Sequence, residues 1–301
     1  MSSATSPAIG PATVRGTAHG TPLLLLVLVG SLPGGCGGSL SHRAVAEMAN
    51  TLPIGQAIER IRIEIQNGSL DVDANSERAV AIAGGVRRAA DTAEELAQLQ
   101  QIPNDFYVAN DAAEPATLVV RGPAIPAGGV KGVLGILARI GLPADLPLAI
   151  VISGSGHVTV ANRRASTHVE TGRGDLRFEH CASAVEAETG LGMVIAFDHR
   201  GDLDITTKHG DMQVFVREPG DLIRLDTGKG TVQCHVPSTI EFDLDARAVV
   251  GHIGNGFGLV PQPVLDFGRV LVGKRGSART KVVLRTGSGH LSIAPRSFEQ
   301  G

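Results

Sequence analysis

Ten histidines and three cysteines among 301 residues invite a search for metal or nucleophile chemistry. His157, His252 and His290 occupy one equivalent place in a repeated glycine motif, and Asp175 and Asp211 occupy the same place. Stacked copies of the motif put His157 about 5 Å from Asp175, by the spacing of paired strands. A zinc site needs three or four converging ligands, but the intervening positions are Asp175, Met193, Asp211 and Thr231. No His-x-x-x-His or Cys-x-x-Cys occurs. These side chains read as turn residues that hydrogen-bond locally, and no metal or other cofactor is expected.

A nucleophile is no easier to find. Ser153 and Ser155 in "SGSGH" echo Gly-x-Ser-x-Gly, but that elbow needs a strand, a turn and then a helix, and a strand pattern follows here. Carboxylates for glycoside chemistry must cluster on one face. Asp202, Asp204 and Asp211 are close in sequence, and Asp202 and Asp204 share a strand face, as residues of a solvated edge also do. The expectation is a non-enzymatic protein with no catalytic residue. A glycan-active enzyme using Asp202 or Asp204 is the alternative.

The tripeptide Arg173-Gly174-Asp175 spells a cell-attachment sequence, but a repeat accounts for it. "SGSGHVTV", "TGRGDLRF", "TGLGMVIA", "TKHGDMQV", "TGKGTVQC", the weaker "AVVGHIGN" and "TGSGHLSI" begin at 153, 171, 189, 207, 227, 248 and 286. Successive starts are separated by 18, 18, 18, 20, 21 and 38 residues, so a missing copy is expected near Gly268. Arg173 is the variable site of a Thr-Gly-x-Gly-(Asp or His)-apolar-x-apolar unit.

Apolar and polar residues alternate on both sides of each glycine pair, the period-two signature of half-buried strands. Glycine suits a turn with positive φ or a close backbone approach. Further turn signals at Asn162-Arg163, Asp198-His199-Arg200-Gly201, Glu218-Pro219-Gly220 and Pro237-Ser238 close each unit. An antiparallel meander and a solenoid both produce such units. Equal spacing favours stacking, so the expected fold is all-β: a parallel β-solenoid of about 18–21-residue coils. Thr171, Thr189, Thr207 and Thr227 then form a column whose hydroxyls hydrogen-bond along it. Cys181 and Cys234 lie three steps apart, roughly 14 Å, too far for a disulfide. Both thiols are expected free, with Cys234 buried.

Such units need an export signal and end caps to work outside the cell. "PLLLLVLVGSL" at 22–32 has eight Leu or Val, too few for a span of about 20 apolar residues, and it follows Arg15 as a signal segment does. "LPGGCGG" then resembles a lipobox, with Cys36 the lipidated residue, although Pro33 stands where an aliphatic residue is usual. Residues 1–36 thus read as a signal peptide with a lipobox-like end, an ordinary signal peptide cleaved near Gly35 or an uncleaved anchor being the alternatives, and 37–53 as a tether. Residues 54–150 form an N-terminal cap, and 151–301 the repeats. Within the cap, "IERIRIEIQNGSLDVDA" reads as a strand pair about Asn67-Gly68. "ADTAEELAQLQQ" reads as a short helix with Thr92 and Glu95 at capping-box spacing. "GGVKGVLGILARIGLP" (128–143) reads as a capping helix or an interfacial segment.

The opening "IEIQNGSLDV", the insert "ADTAEELAQL", the strand "LPLAIVI" and the serial "GSGHVTV", "GRGDLRF" and "HGDMQV" units together resemble the putative-adhesin family of bacterial β-strand-repeat proteins, over about residues 54–295. The resemblance implies a β-helix-like fold in the cell envelope, often lipoprotein-anchored, and carries over no catalytic residue. Acidic and basic residues nearly balance, 30 against 27, and no basic stripe appears, so nucleic acid is excluded as a partner. Aromatics are 3% of residues, which argues against a stacking cleft for sugars. The expected partners are the membrane, through Cys36, and an envelope or surface ligand of unknown identity. Self-association of stacked ends is the alternative.

Overall fold

The computed structural model of the protein describes residues 41–260, 262–263 and 268–296. Nineteen strands and one short helix make up the described chain. They are β1 (His42–Pro53), β2 (Arg60–Ile65), β3 (Gly68–Asn75), β4 (Ala79–Ala90), α1 (Ala93–Gln100), β5 (Tyr107–Asn110), β6 (Thr117–Arg121) and β7 (Val133–Pro143). There follow β8 (Leu148–Ser155), β9 (Val158–Ala161), β10 (Thr167–Arg173), β11 (Leu176–Glu179), β12 (Val185–Leu191), β13 (Val194–His209) and β14 (Met212–Lys229). The last are β15 (Val232–Pro237), β16 (Phe242–Asn255), β17 (Gln262–Pro263), β18 (Arg269–Arg275) and β19 (Thr280–Arg296). The nineteen strands belong to one large mixed sheet that is not closed.

Each repeat contributes a strand before its glycines and a strand after them. Like strands of neighbouring repeats pair in parallel, so Thr171 is in register with Thr189, Thr189 with Thr207, Thr207 with Thr227, and Thr227 with Thr286. The strands after the glycines make a second ladder, in which Val160, Phe178, Ala196, Val214, Cys234 and Ile293 are in register. Inward residues of both ladders form one apolar cluster. Its members are mostly Val, Ile, Leu and Ala, which suit a thin interior.

The glycines hold this stack together by lacking a side chain. A Cβ on Gly174 would overlap the carbonyl oxygen of Gly156, and the same clash passes from Gly192 to Gly174, Gly210 to Gly192, Gly230 to Gly210, Gly289 to Gly230 and Gly251 to Gly289. Gly174 also sits at φ 144°, a region open to glycine alone. At the opposite corner Asn162, His180 and Asp198 take φ of 58°, 51° and 54°. The residues that follow them, Arg163, Cys181 and His199, are all buried.

Order in the stack departs from order in the chain at its C-terminal end. β19 lies between β14–β15 and β16, pairing in parallel with all three. Among the described residues no parallel copy is found at Gly268. Instead β18 runs antiparallel to β16, and β17 antiparallel to β18. The 38-residue interval is a detour through these edge strands.

The N-terminal end does the same. β2 and β3 do not pair with each other as a hairpin. β2 lies parallel between β6 and β8, and β3 parallel between β7 and β9. Asn67-Gly68 is therefore another glycine corner of the stack. Residues 128–143, expected as a capping helix or interfacial segment, contain strand β7, because Leu134, Ile136, Ala138, Ile140 and Leu142 alternate inward with period two. Residues 42–53, expected as tether, form β1, antiparallel to β4, which is antiparallel to β7. Helix α1 has the expected capping box: Thr92 Oγ1 accepts from the Glu95 amide, and the Glu95 carboxylate accepts from the Thr92 amide. Leu99 is its buried anchor.

Candidate functional site

At the glycine corners, side-chain chemistry is directed at the backbone. The Asp175 carboxylate accepts the Met193 amide at 2.8 Å, and the Asp211 carboxylate accepts the Thr231 amide at 2.7 Å. His157 Nδ1 accepts the Asp175 amide at 3.2 Å, and the same ring nitrogen lies 3.3 Å from the Asp175 carboxylate. At His157, Asp175 and Asp211 the side chain at this repeat position thus accepts an N–H from the next repeat. His252 and His290 stack ring on ring, with centroids 5.5 Å apart and planes 5° apart. Among the described residues no group of three or more His, Cys, Asp and Glu is placed to hold a metal ion.

The threonines also address the backbone rather than one another. Thr189, Thr227 and Thr286 donate to the carbonyls of Gly174, Gly210 and Gly230 at 3.0–3.1 Å. Thr171 donates to the Arg173 carbonyl at 3.2 Å. The buried Thr207 hydroxyl has no such acceptor.

Arg173 projects to solvent from this corner between Gly172 and the buried Gly174. Its carbonyl also accepts the Gly156 amide at 2.7 Å, so the tripeptide's backbone is part of the stack. "SGSGH" ends β8 and leads into β9, so Ser153 and Ser155 lack the helix that a nucleophile elbow requires.

A concavity lies elsewhere, on the outer face of the first ladder. A trough of about 700 Å³ is floored by Pro147, Ala149, Ser166 and Ala184. Its outward column runs in register through Arg62, Ala149, His168, Glu186, Asp204 and Arg224. Ala149 creates the hollow, because it is the one small side chain between Arg62 and His168. Arg62 is held by Asp111 and by Glu64, the latter at 2.8 Å. Hydrogen bonds from the Ala113 amide, more than the charge of Arg62, hold the Asp111 carboxyl below the usual carboxylate range. His168 bridges Glu170 at 2.9 Å and Glu186 at 3.3 Å.

Asp202 and Asp204 both line this trough, whereas Asp211 is at the glycine corner. Each has a structural partner. The Asp202 carboxylate accepts the Leu222 amide at 2.9 Å, and Asp204 pairs with Arg224 at 2.9 Å. Burial, reinforced by the charges of Glu186 and Asp226, raises the Asp204 carboxyl above its usual value against the pull of Arg224. The trough thus offers ion-paired arginines with Glu114 at one end, carboxylates at the other and a small-residue floor between them.

Cys181 and Cys234 are free and buried. Burial pushes their thiols up to about 11 and about 12. Neither is a nucleophile at neutral pH. Arg163 was legible only as a turn residue, yet its guanidinium is wholly buried and donates to the carbonyls of Pro143 and Leu146. It braces the β7–β8 turn. Cys36 and the signal segment lie outside the described residues. Among the described residues no helix is long and apolar enough to cross a membrane.

No family model matches the chain, and no curated protein matches it. Its structure is similar to that of a putative adhesin from Bacteroides fragilis, at 13% identity and a TM-score of 0.44, over 83% of this chain and 96% of that one. It is also similar to a putative cell adhesion protein from Clostridium sporogenes, at 12% identity and a TM-score of 0.36, over 83% of this chain and 100% of the other. A third similar structure is a putative lipid binding protein from Parabacteroides distasonis, at 14% identity and a TM-score of 0.34, covering 83% and 96% of the two chains.

Proposed function

We propose that the protein is a non-enzymatic, exported envelope lipoprotein. Its repeats wind as a parallel β-solenoid, and Cys36 tethers them to a membrane. The reading agrees with the resemblance of its strand repeats to the putative-adhesin family. One observation carries it: the residues common to the repeats serve chiefly to bind one repeat to the next, through the glycine contacts, the hydroxyls of Thr189, Thr227 and Thr286, and the side chains of His157, Asp175 and Asp211. Polar and charged differences between repeats face outward, and the trough at Ala149 is where they line a concave surface. The role is binding or scaffolding through that surface.

Two experiments test this. Labelling cells with an alkyne fatty acid should mark the wild-type chain and leave Cys36→Ser unmarked; equal labelling removes the anchor. A photo-crosslinking residue at His168 on intact cells should capture an envelope or surface component, and the same residue at Lys281 should not. Turnover of an envelope polysaccharide that is lost in Asp204→Asn would instead establish the enzymatic alternative.

A further inference from the structure

The outer face of β1, β4 and β7 differs from the rest of the surface. β4, the middle strand, points Ala81, Ala83, Gly85 and Ala89 outward, with Arg87 as the only large side chain. The result is a shallow trough with a Gly and Ala floor. Three apolar side chains stand exposed around it: Val45 (55%), Val133 (51%) and Leu137 (46%). The register places Val133 opposite Ala89, and Leu137 opposite Gly85. Isolated exposed apolar residues need no explanation, but a cluster around a bare floor does.

Charge on this face is also distinctive. Arg43 and Arg139 point outward here as well as Arg87, by the same alternation. Among the described residues none of the three forms an ion pair within 4 Å. On the first ladder, by contrast, Arg60, Arg62, Arg121, Arg224, Arg247 and Arg285 are all ion-paired. Glu47 and Asp71 line the same trough, so the three arginines exceed the carboxylates on this face by one, and this small cationic excess lies among exposed apolar groups, as on an interfacial surface.

Position in the chain selects the occupant. Ser41, which opens β1, donates to the Asp91 carbonyl at 3.0 Å, so the start of the strand is fixed against this end of the stack. Five residues from Cys36 to Ser41 span at most about 18 Å when extended. A chain anchored at Cys36 brings this end to the bilayer before any other part. Resting on the anchored reading above, we infer that the outer face of β1, β4 and β7 seats on an anionic bilayer surface. Arg43, Arg87 and Arg139 meet lipid phosphates, and Val45, Val133 and Leu137 enter the headgroup boundary. β16 and β18 lie at the other end of the stack.

The test uses the full, lipidated chain incorporated into phosphatidylcholine vesicles with and without phosphatidylglycerol. An environment-sensitive fluorophore is placed at Leu137→Cys or, as a distal control, at Val272→Cys. The buried Cys181 and Cys234 leave these sites selectively reactive. In floated vesicles containing phosphatidylglycerol, brominated lipid should quench the probe at 137 at least threefold more than the probe at 272. Adding R87E and R139E should abolish that difference while the protein still floats. Equal quenching at both sites in floated protein overturns the seated face and leaves the anchor standing. Failure to float overturns the anchor and the seated face together. A 137 signal that depends on protein concentration and not on brominated lipid identifies a second copy as the occupant, and overturns the inference.

Discussion

Thr286 donates its hydroxyl to the carbonyl of Gly230 at 3.0 Å, across 56 positions of sequence. The same bond joins Thr227 to Gly210 across 17 positions, and Thr189 to Gly174 across 15. One local rule therefore operates whether the neighbouring repeat is the preceding one or a segment reached after a long excursion. The stack is defined by what each repeat offers its neighbour, not by the order in which repeats leave the chain.

The glycine column makes the strongest demand. Gly174→Ala places a methyl on the Gly156 carbonyl at a φ that alanine avoids, and should cost about 2–3 kcal/mol in urea unfolding. Gly254→Ala meets nothing within 4 Å and should unfold within about 0.5 kcal/mol of wild type. Arg173→Ala should change neither stability nor adhesion to host cells, since only the backbone of that residue is used in the stack.

The threonine column separates two kinds of buried hydroxyl. Thr189→Val removes the donor to Gly174 and should destabilise by about 1–2 kcal/mol. Thr207→Val removes a hydroxyl that has no partner, and should be neutral or stabilising. Equal losses in the two variants would mean that the hydroxyls do not act through the glycine carbonyls.

Stability should fall with acid through His199. The ring is buried, with Nε2 3.0 Å from the Asp202 carbonyl, and burial lowers its pKa from 6.5 to about 4. Between these values the unfolded chain binds the proton and the folded chain does not. The stabilisation is complete above pH 6.5 and is lost as pH falls toward 4. The loss approaches about 3 kcal/mol. Urea midpoints measured from pH 7 to pH 4 should show this slope, and His199→Gln should flatten it.

Much of this was legible because the repeat carries its own register. Equal spacing predicted that Thr171, Thr189 and Thr207 would align, and that Cys181 and Cys234 would lie steps apart; the capping box at Thr92 and Glu95 fixed α1. The excursions at both ends were not legible. Nothing local distinguishes a glycine corner such as Asn67-Gly68 from a hairpin, or shows that the Thr286 repeat enters ahead of the Ala248 repeat. β7 was missed although Leu134 to Leu142 alternate, because its high apolar content suggested a helix. The trough could not be found from sequence either. It depends on Ala149 falling between Arg62 and His168, which are brought together only by pairing across the out-of-order N-terminal strands.

The thiols report on core integrity. With both pushed far above neutral pH by burial, native protein at pH 8 should take up iodoacetamide at neither Cys181 nor Cys234. Urea should expose both in a single transition.

The order of the stack can be read directly with paired cysteines on its outer face. Asp226 is in register with Arg285, and Arg285 with Arg247. Asp226 and Arg247 are thus two steps apart, about 10 Å, beyond disulfide reach. The double variant Asp226→Cys and Arg285→Cys should cross-link fully on mild oxidation, as seen by mass spectrometry of the linked peptides, and Asp226→Cys with Arg247→Cys should not. Cross-linking of 226 to 247 in place of 285 would show the repeats stacked in simple chain order, and would contradict the account.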